Sequence, residues 1–167
     1  MTIRVLLLML ALAALPAPAR SADTPHSLAV SPNTLKWIKI PDMPECATAA
    51  ILRGDPRSGP SWVLLRIGSG CRVPWHWHTP NEELVVISGQ GTVEMQDGPP
   101  LRFVPGAYAS LPGHHVHRMN CTRSCLFFNS ADGAFDIHYV EPATGKELSL
   151  DDAIKAGAAK PSRKRRR

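Results

Sequence analysis

From residue 35 to residue 140 the chain alternates short apolar, β-branched runs with breaks rich in glycine and proline. The runs are Leu35–Ile40, Ala47–Leu52, Trp62–Ile67, Leu84–Ser88, Thr92–Met95, Leu101–Val104, Tyr108–Leu111, Val116–Asn120, Leu126–Asn129 and Phe135–Val140. Between them stand Gly54-Asp55-Pro56, Ser58-Gly59-Pro60, Gly68-Ser69-Gly70, Gly89-Gln90-Gly91, Asp97-Gly98-Pro99-Pro100, Pro105-Gly106, Pro112-Gly113 and Ala131-Asp132-Gly133. Short β-branched runs bounded by turn formers read as strands, and ten of them at this spacing predict an all-β sandwich or barrel. No helical period and no solenoid-length repeat interrupts the region, so one domain is expected.

The two ends follow other rules. Arg4 precedes an eleven-residue apolar stretch, Val5 to Leu15, and small residues follow at Ala17, Ala19, Ser21 and Ala22. That order predicts a secretory signal over residues 1–22, cleaved after Ala19 or Ser21. The apolar stretch is too short to span a bilayer, which takes about 20 apolar residues. No later segment is apolar enough to cross a membrane. The expectation is therefore a periplasmic or secreted protein without a transmembrane anchor after cleavage. Near the other end, Ser149-Leu150-Asp151-Asp152 resembles a capping box and predicts a short helix over Leu150–Ala156. Residues 158–167 lack apolar periodicity and are expected to form a disordered basic tail.

Charge and cysteine content refine this picture. The formal net charge is +5. Six of the 19 basic residues, however, lie between Lys160 and Arg167, which leaves 13 basic against 14 acidic residues elsewhere. Without Arg4 and Arg20 the folded body is net acidic, so a nucleic-acid-binding face is not expected. Export permits disulfides among Cys46, Cys71, Cys121 and Cys125. Cys121 and Cys125 flank the turn-friendly Thr122, Arg123 and Ser124, which could bring them face to face. Cys46–Cys71 then follows only by subtraction. Free buried thiols or a metal pair are the other readings.

Five of the seven histidines fall in two short stretches. On a strand, residues two apart point the same way, so His76 and His78 present two imidazoles to one face and Trp75 and Trp77 to the other. The chain then bends at Thr79-Pro80-Asn81, and Glu82 can return a carboxylate to the same ion. A third imidazole from a neighbouring strand would complete the set, and His117 is the candidate. Such mixed ligands suit one divalent transition metal: Fe, Mn, Zn, Ni or Cu. The bland reading is a set of surface or core histidines without metal.

The stretch Gly70-(x5)-His76-x-His78-(x3)-Glu82-(x6)-Gly89 resembles the first motif of the cupin superfamily at every required position. Gly106-(x5)-Pro112-x-His114-(x2)-His117 resembles the second, with two departures. Glycine is expected where His114 stands, and asparagine where Cys121 stands. The flanking strands extend the resemblance to residues 35–142, in the manner of small single-domain bacterial cupins. It implies a cupin or jelly-roll double-stranded β-barrel, a homodimer, and a mononuclear metal in the barrel mouth. By position the ligands would be His76, His78, Glu82 and His117. His114 and His115 would support the ligands or line the entrance, or else be exposed turn residues.

Four protein ligands on an octahedral ion leave about two positions open to a small molecule. One reading is a metalloenzyme, oxygenase-like or otherwise metal-assisted, acting on a small organic substrate. The other is a non-catalytic periplasmic module that binds or senses a metal or ligand. Leu64, Val86, Phe103 and Phe127 are expected in the barrel core or the pocket lining.

Overall fold

The strand alternation is plainest in the last long strand, where every odd-numbered residue except Arg123 is buried and no even-numbered one is. The structure is a computed structural model that describes residues 29–158. The predicted signal segment and the basic tail beyond residue 158 lie outside the described residues. After a 3-10 turn at Pro32–Thr34 come β1 (Ile38–Lys39), β2 (Ala47–Gly54), β3 (Ser61–Ile67), β4 (Arg72–Trp77) and β5 (Glu82–Met95). They are followed by β6 (Leu101–Phe103), β7 (Tyr108–Leu111), β8 (His117–Ala131), β9 (His138–Val140), β10 (Glu147–Leu148) and α1 (Leu150–Ala158).

All strand neighbours are antiparallel, in the order β1-β2-β3-β8-β4-β9-β10. β5 runs along β8 and also holds β6 and β7. This is the jelly-roll barrel. β5 and β8 are long enough to serve both of its layers, and both change course near their middles.

On β5 the register shifts between Val86 and Gly91. The buried positions change parity there, from Leu84 and Val86 to Val93. Glycine is required: a Cβ on Gly91 would sit 2.1 Å from the Asn120 carbonyl oxygen, and Gly89 has φ +111°. Opposite them β8 bends so that the Cα atoms of Cys121 and Cys125 are 6.1 Å apart. Straight strand would separate them by about 13 Å. The turn expected at Thr122–Ser124 is thus a bend inside one strand, both halves of which stay paired with β5. Four expected runs accordingly merge into two strands. β4 and β10 are strands that the run pattern did not separate.

Disulfides join Cys46 to Cys71 and Cys121 to Cys125. The core gathers Phe127, Ile67, Leu111, Val73 and Val93. Val86, Phe103 and Phe127 belong to it, with the two phenylalanine rings edge-on at 4.9 Å. Leu64 does not: Ser61, Val63, Leu65 and Ile67 alternate inward, which turns Leu64 outward with Trp62 and Arg66. At the C-terminal end the Asp152 amide donates to Ser149 Oγ at 3.2 Å, the expected cap, and α1 buries Ala153.

Candidate metal centre

The first histidine pair owes its direction to an irregularity in β4. Val73 faces the core, and a register shift between Val73 and His76, at Pro74, turns the even-numbered His76 inward as well. His76 then lies directly across the ladder from His117. Trp75 and Trp77 take the opposite face. The Arg118 guanidinium lies 4.6 Å over Trp75, and Trp77 stacks on His138 at 3.9 Å.

Beyond β4 the two motif stretches are tied together. Asn81 Oδ1 accepts from the Gly113 amide at 2.9 Å, and the His114 amide donates to the His78 carbonyl at 2.7 Å. Glu82 opens β5 and faces inward.

His76, His78 and His117 are all buried, and their ligand atoms lie within 4.8 Å of one another. Each ring is held through Nδ1 by a backbone carbonyl. His76 bonds Pro74 at 2.6 Å, His78 bonds Asp136 at 2.5 Å, and His117 bonds His115 at 2.8 Å. A carbonyl only accepts, so each Nδ1 carries a proton, and in the neutral ring Nε2 keeps its lone pair. That is the arrangement by which proteins fix the tautomer of metal-ligating histidines.

Burial, with His117 and His78 close by, holds the His76 imidazole well below its ordinary pKa of 6.5. Burial likewise lowers His117, to about 4, although Glu82 opposes the shift. Both rings are therefore neutral near pH 7, as ligation requires.

Glu82 stands at the edge of this group. Its Oε2 is 3.2 Å from His78 Nε2, and its Oε1 accepts from Asn129 Nδ2 at 3.1 Å. Two electron-pair donors facing each other at that distance in a buried site call for a positive centre, a proton or a metal ion. The residues present thus fit a divalent metal. The cluster within 4.8 Å comprises the three imidazoles; Glu82 adjoins it through His78.

The group lies in the wall of a cavity of about 610 Å³. β1, β2 and β3 form much of the remaining wall, with Phe135 and Ile137 from the segment before β9. Such a volume suits a small organic ligand.

A family model described as a domain of unknown function, DUF4437, matches residues 21–138. The chain belongs to this family. The DUF4437 match takes in all four expected ligands and stops at the start of β9. Among solved structures, this DUF4437 chain is similar to an RmlC-like cupin from Ralstonia eutropha (15% identity, TM-score 0.57, 78% of this chain and 87% of that one). It is also similar to the polyketide cyclase RemF from Streptomyces resistomycificus (18%, 0.58, 70% and 87%). The DMSP lyase DddQ from Ruegeria pomeroyi is a third (18%, 0.52, 60% and 57%). These likenesses show the fold: the DUF4437 chain has the small cupin β-barrel. A curated relative, the DNA damage-repair/toleration protein DRT102 of Arabidopsis thaliana, is 29% identical over 97 residues, covering 58% of this chain. The chain spans 31% of that plant protein's length.

His114 and His115 of the DUF4437 domain do not line the cavity. The second stretch turns their side chains away from it. The His114 ring lies 4.5 Å from Trp77 on the outside, and His115 Nε2 meets Asp97 at 2.6 Å. His115 supports the site through its carbonyl, which holds His117. His114 has φ +62°, a left-handed conformation that favours the glycine expected at this motif position and is kept here by a histidine.

Sequence reasoning missed Asn129 and Asp136. They lie 47 and 58 residues from the groups they hold, in runs that show only strand and turn character. Once the fold is known, the register gives one of them away: β8 pairs Asn129 with Leu84, two residues from Glu82 and on the same face.

Proposed function

We propose that this protein is an exported, metal-dependent cupin that acts on a small organic molecule. One observation carries the reading: three buried imidazoles, each held through Nδ1 by a backbone carbonyl, converge in the wall of an apolar cavity. His76, His78 and His117 would hold the ion, and Glu82 would join them. The ion would supply Lewis-acid or electron-transfer chemistry to a ligand entering from the cavity. Asn129 holds the Glu82 carboxylate, and the carbonyls hold the rings. The size of the cavity favours catalysis or ligand binding over a purely structural metal, because structural sites are closed. Fold alone does not choose the reaction.

Two further features belong to the proposal. Two disulfides support an oxidising compartment, in line with export. Leu64, Phe128, Val85 and Tyr108 form one cross-strand row on the outer face of β3, β8, β5 and β7, which supports a homodimer. Analytical ultracentrifugation tests the latter.

The decisive experiment for function recovers the protein from its own compartment for elemental analysis. The protein is then screened for turnover and oxygen uptake with small phenols, diketones and thiols. Stoichiometric Fe, Mn, Ni or Cu with turnover supports the enzyme. Tightly held Zn without turnover supports a binding module. Metal-free protein from that compartment contradicts both.

A further inference from the structure

The distribution of polar atoms around the cavity is one-sided. Where the three histidines and Glu82 stand, lone pairs are concentrated. Elsewhere the wall is hydrocarbon: Ile51, Val63, Leu65, Ile67, Met119 and Phe135 supply much of it. Of the charged residues that reach the cavity, Asp42 is solvent-exposed, and the others are committed to partners. Arg57 and Asp55 pair with each other through Nε to Oδ1 at 3.0 Å and Nη2 to Oδ2 at 2.9 Å. Lys39 pairs with Glu45. Asp136 accepts from the Thr79 amide at 2.7 Å and faces His138. Asn129 is taken by Glu82.

Away from the histidines and Glu82, a guest in this cavity meets few free polar groups, Ser61 and the exposed Asp42 among them. Each hydroxyl buried against the aliphatic wall without a partner would cost about 1–3 kcal/mol. Each methylene laid there would gain about 0.8 kcal/mol, or roughly fourfold in affinity.

From this asymmetry we infer that the ligand is an amphiphile: one compact metal-binding head, such as a carboxylate, enolate or hydroxamate, on a predominantly hydrocarbon body. Sugars and other polyols, which would set most of their hydroxyls against hydrocarbon, are expected to bind weakly. The inference rests on reading the histidine cluster as the end that binds the head group. Its content, however, lies in the walls.

The test is calorimetric titration of the purified, Zn(II)-loaded protein with straight-chain hydroxamates from acetohydroxamate to octanohydroxamate, and with gluconohydroxamate. Affinity is expected to rise several-fold per methylene. Hexanohydroxamate is expected to bind at least about tenfold more tightly than gluconohydroxamate, which has the same carbon count. A flat series, or equal binding of these two, overturns the inference.

Hexanamide and octanamide, which lack the chelating group, separate this result from the metal reading. If the amides bind as tightly as the hydroxamates and show the same chain-length slope, the apolar cavity stands and the metal reading falls. Ile51→Ser, at a half-exposed wall position, should weaken octanohydroxamate about fivefold and leave acetohydroxamate unchanged. An equal loss for both counts against the inference.

Discussion

Removing the amide of Asn129 tests whether the Glu82 carboxylate is held for a purpose. Asn129 and Glu82 are both buried, and Asn129 Nδ2 is 3.1 Å from Glu82 Oε1. In Asn129→Ala that oxygen loses its partner. A hydrogen bond to a charged group contributes about 1.5–3 kcal/mol, and a buried carboxylate oxygen left unpaired costs at least as much. The cavity adjoins the pair, so water can enter and offset part of the loss, which places the effect toward the lower end of that range. For a chain of this size the melting temperature should fall by roughly 4–8 °C. Metal affinity should drop about tenfold to a hundredfold, as when other groups that orient ligands are removed. Thermal unfolding of the metal-free protein and a chelator competition on the loaded protein measure the two effects separately. An unchanged melting temperature together with unchanged metal affinity would refute the role given to Asn129. A stability loss alone would make the contact structural only.

Acid should destabilise the metal-free protein. His117 titrates at about 4 when folded against 6.5 in an unfolded chain, and burial lowers His76 too. Folding is then strongest above about pH 6.5 and weakens as pH falls from there toward 4, by up to about 3 kcal/mol from His117. Urea midpoints at pH 7, 5.5 and 4.5 check this, and a flat profile rejects it. Gly91→Ala, with its Cβ driven against the Asn120 carbonyl, should cost more than about 3 kcal/mol or prevent folding; near-native stability would show that the β5–β8 bend yields easily. Replacing Cys46 and Cys71 by alanine opens a span of 25 residues and should cost about 3–4 kcal/mol. Replacing Cys121 and Cys125, four residues apart, should cost about 2. Thermal melts of the two double variants should therefore fall in that order.

Much of this was legible in the chain because it is local. The period of two at His76 and His78 assigned their face, and Trp75 and Trp77 lie opposite as that period requires. Glycine and proline marked the breaks, and Ser149 marked the start of the helix. What was not legible depends on distant pairing. The merging of four runs into β5 and β8 arises because Gly89 and Gly91 let one strand bend with its partner, whereas in sequence the same glycines read as turns. The inward turn of His76 after Val73 breaks simple alternation at Pro74. Leu64 was grouped with core residues because an apolar strand residue carries no mark of its face. His114 and His115 show the limit of composition: as residue types they suit a site, yet the backbone turn directs both side chains out of the cavity.

The central claim is that three imidazoles offer Nε2 to one ion. Long-range proton–nitrogen NMR of the metal-free protein, titrated with Zn(II), tests it most directly. His76, His78 and His117 should start with protonated Nδ1, and their three Nε2 signals should shift together and saturate at one equivalent. Independent shifts, saturation at another ratio, or an unaltered response in His117→Ala would contradict it.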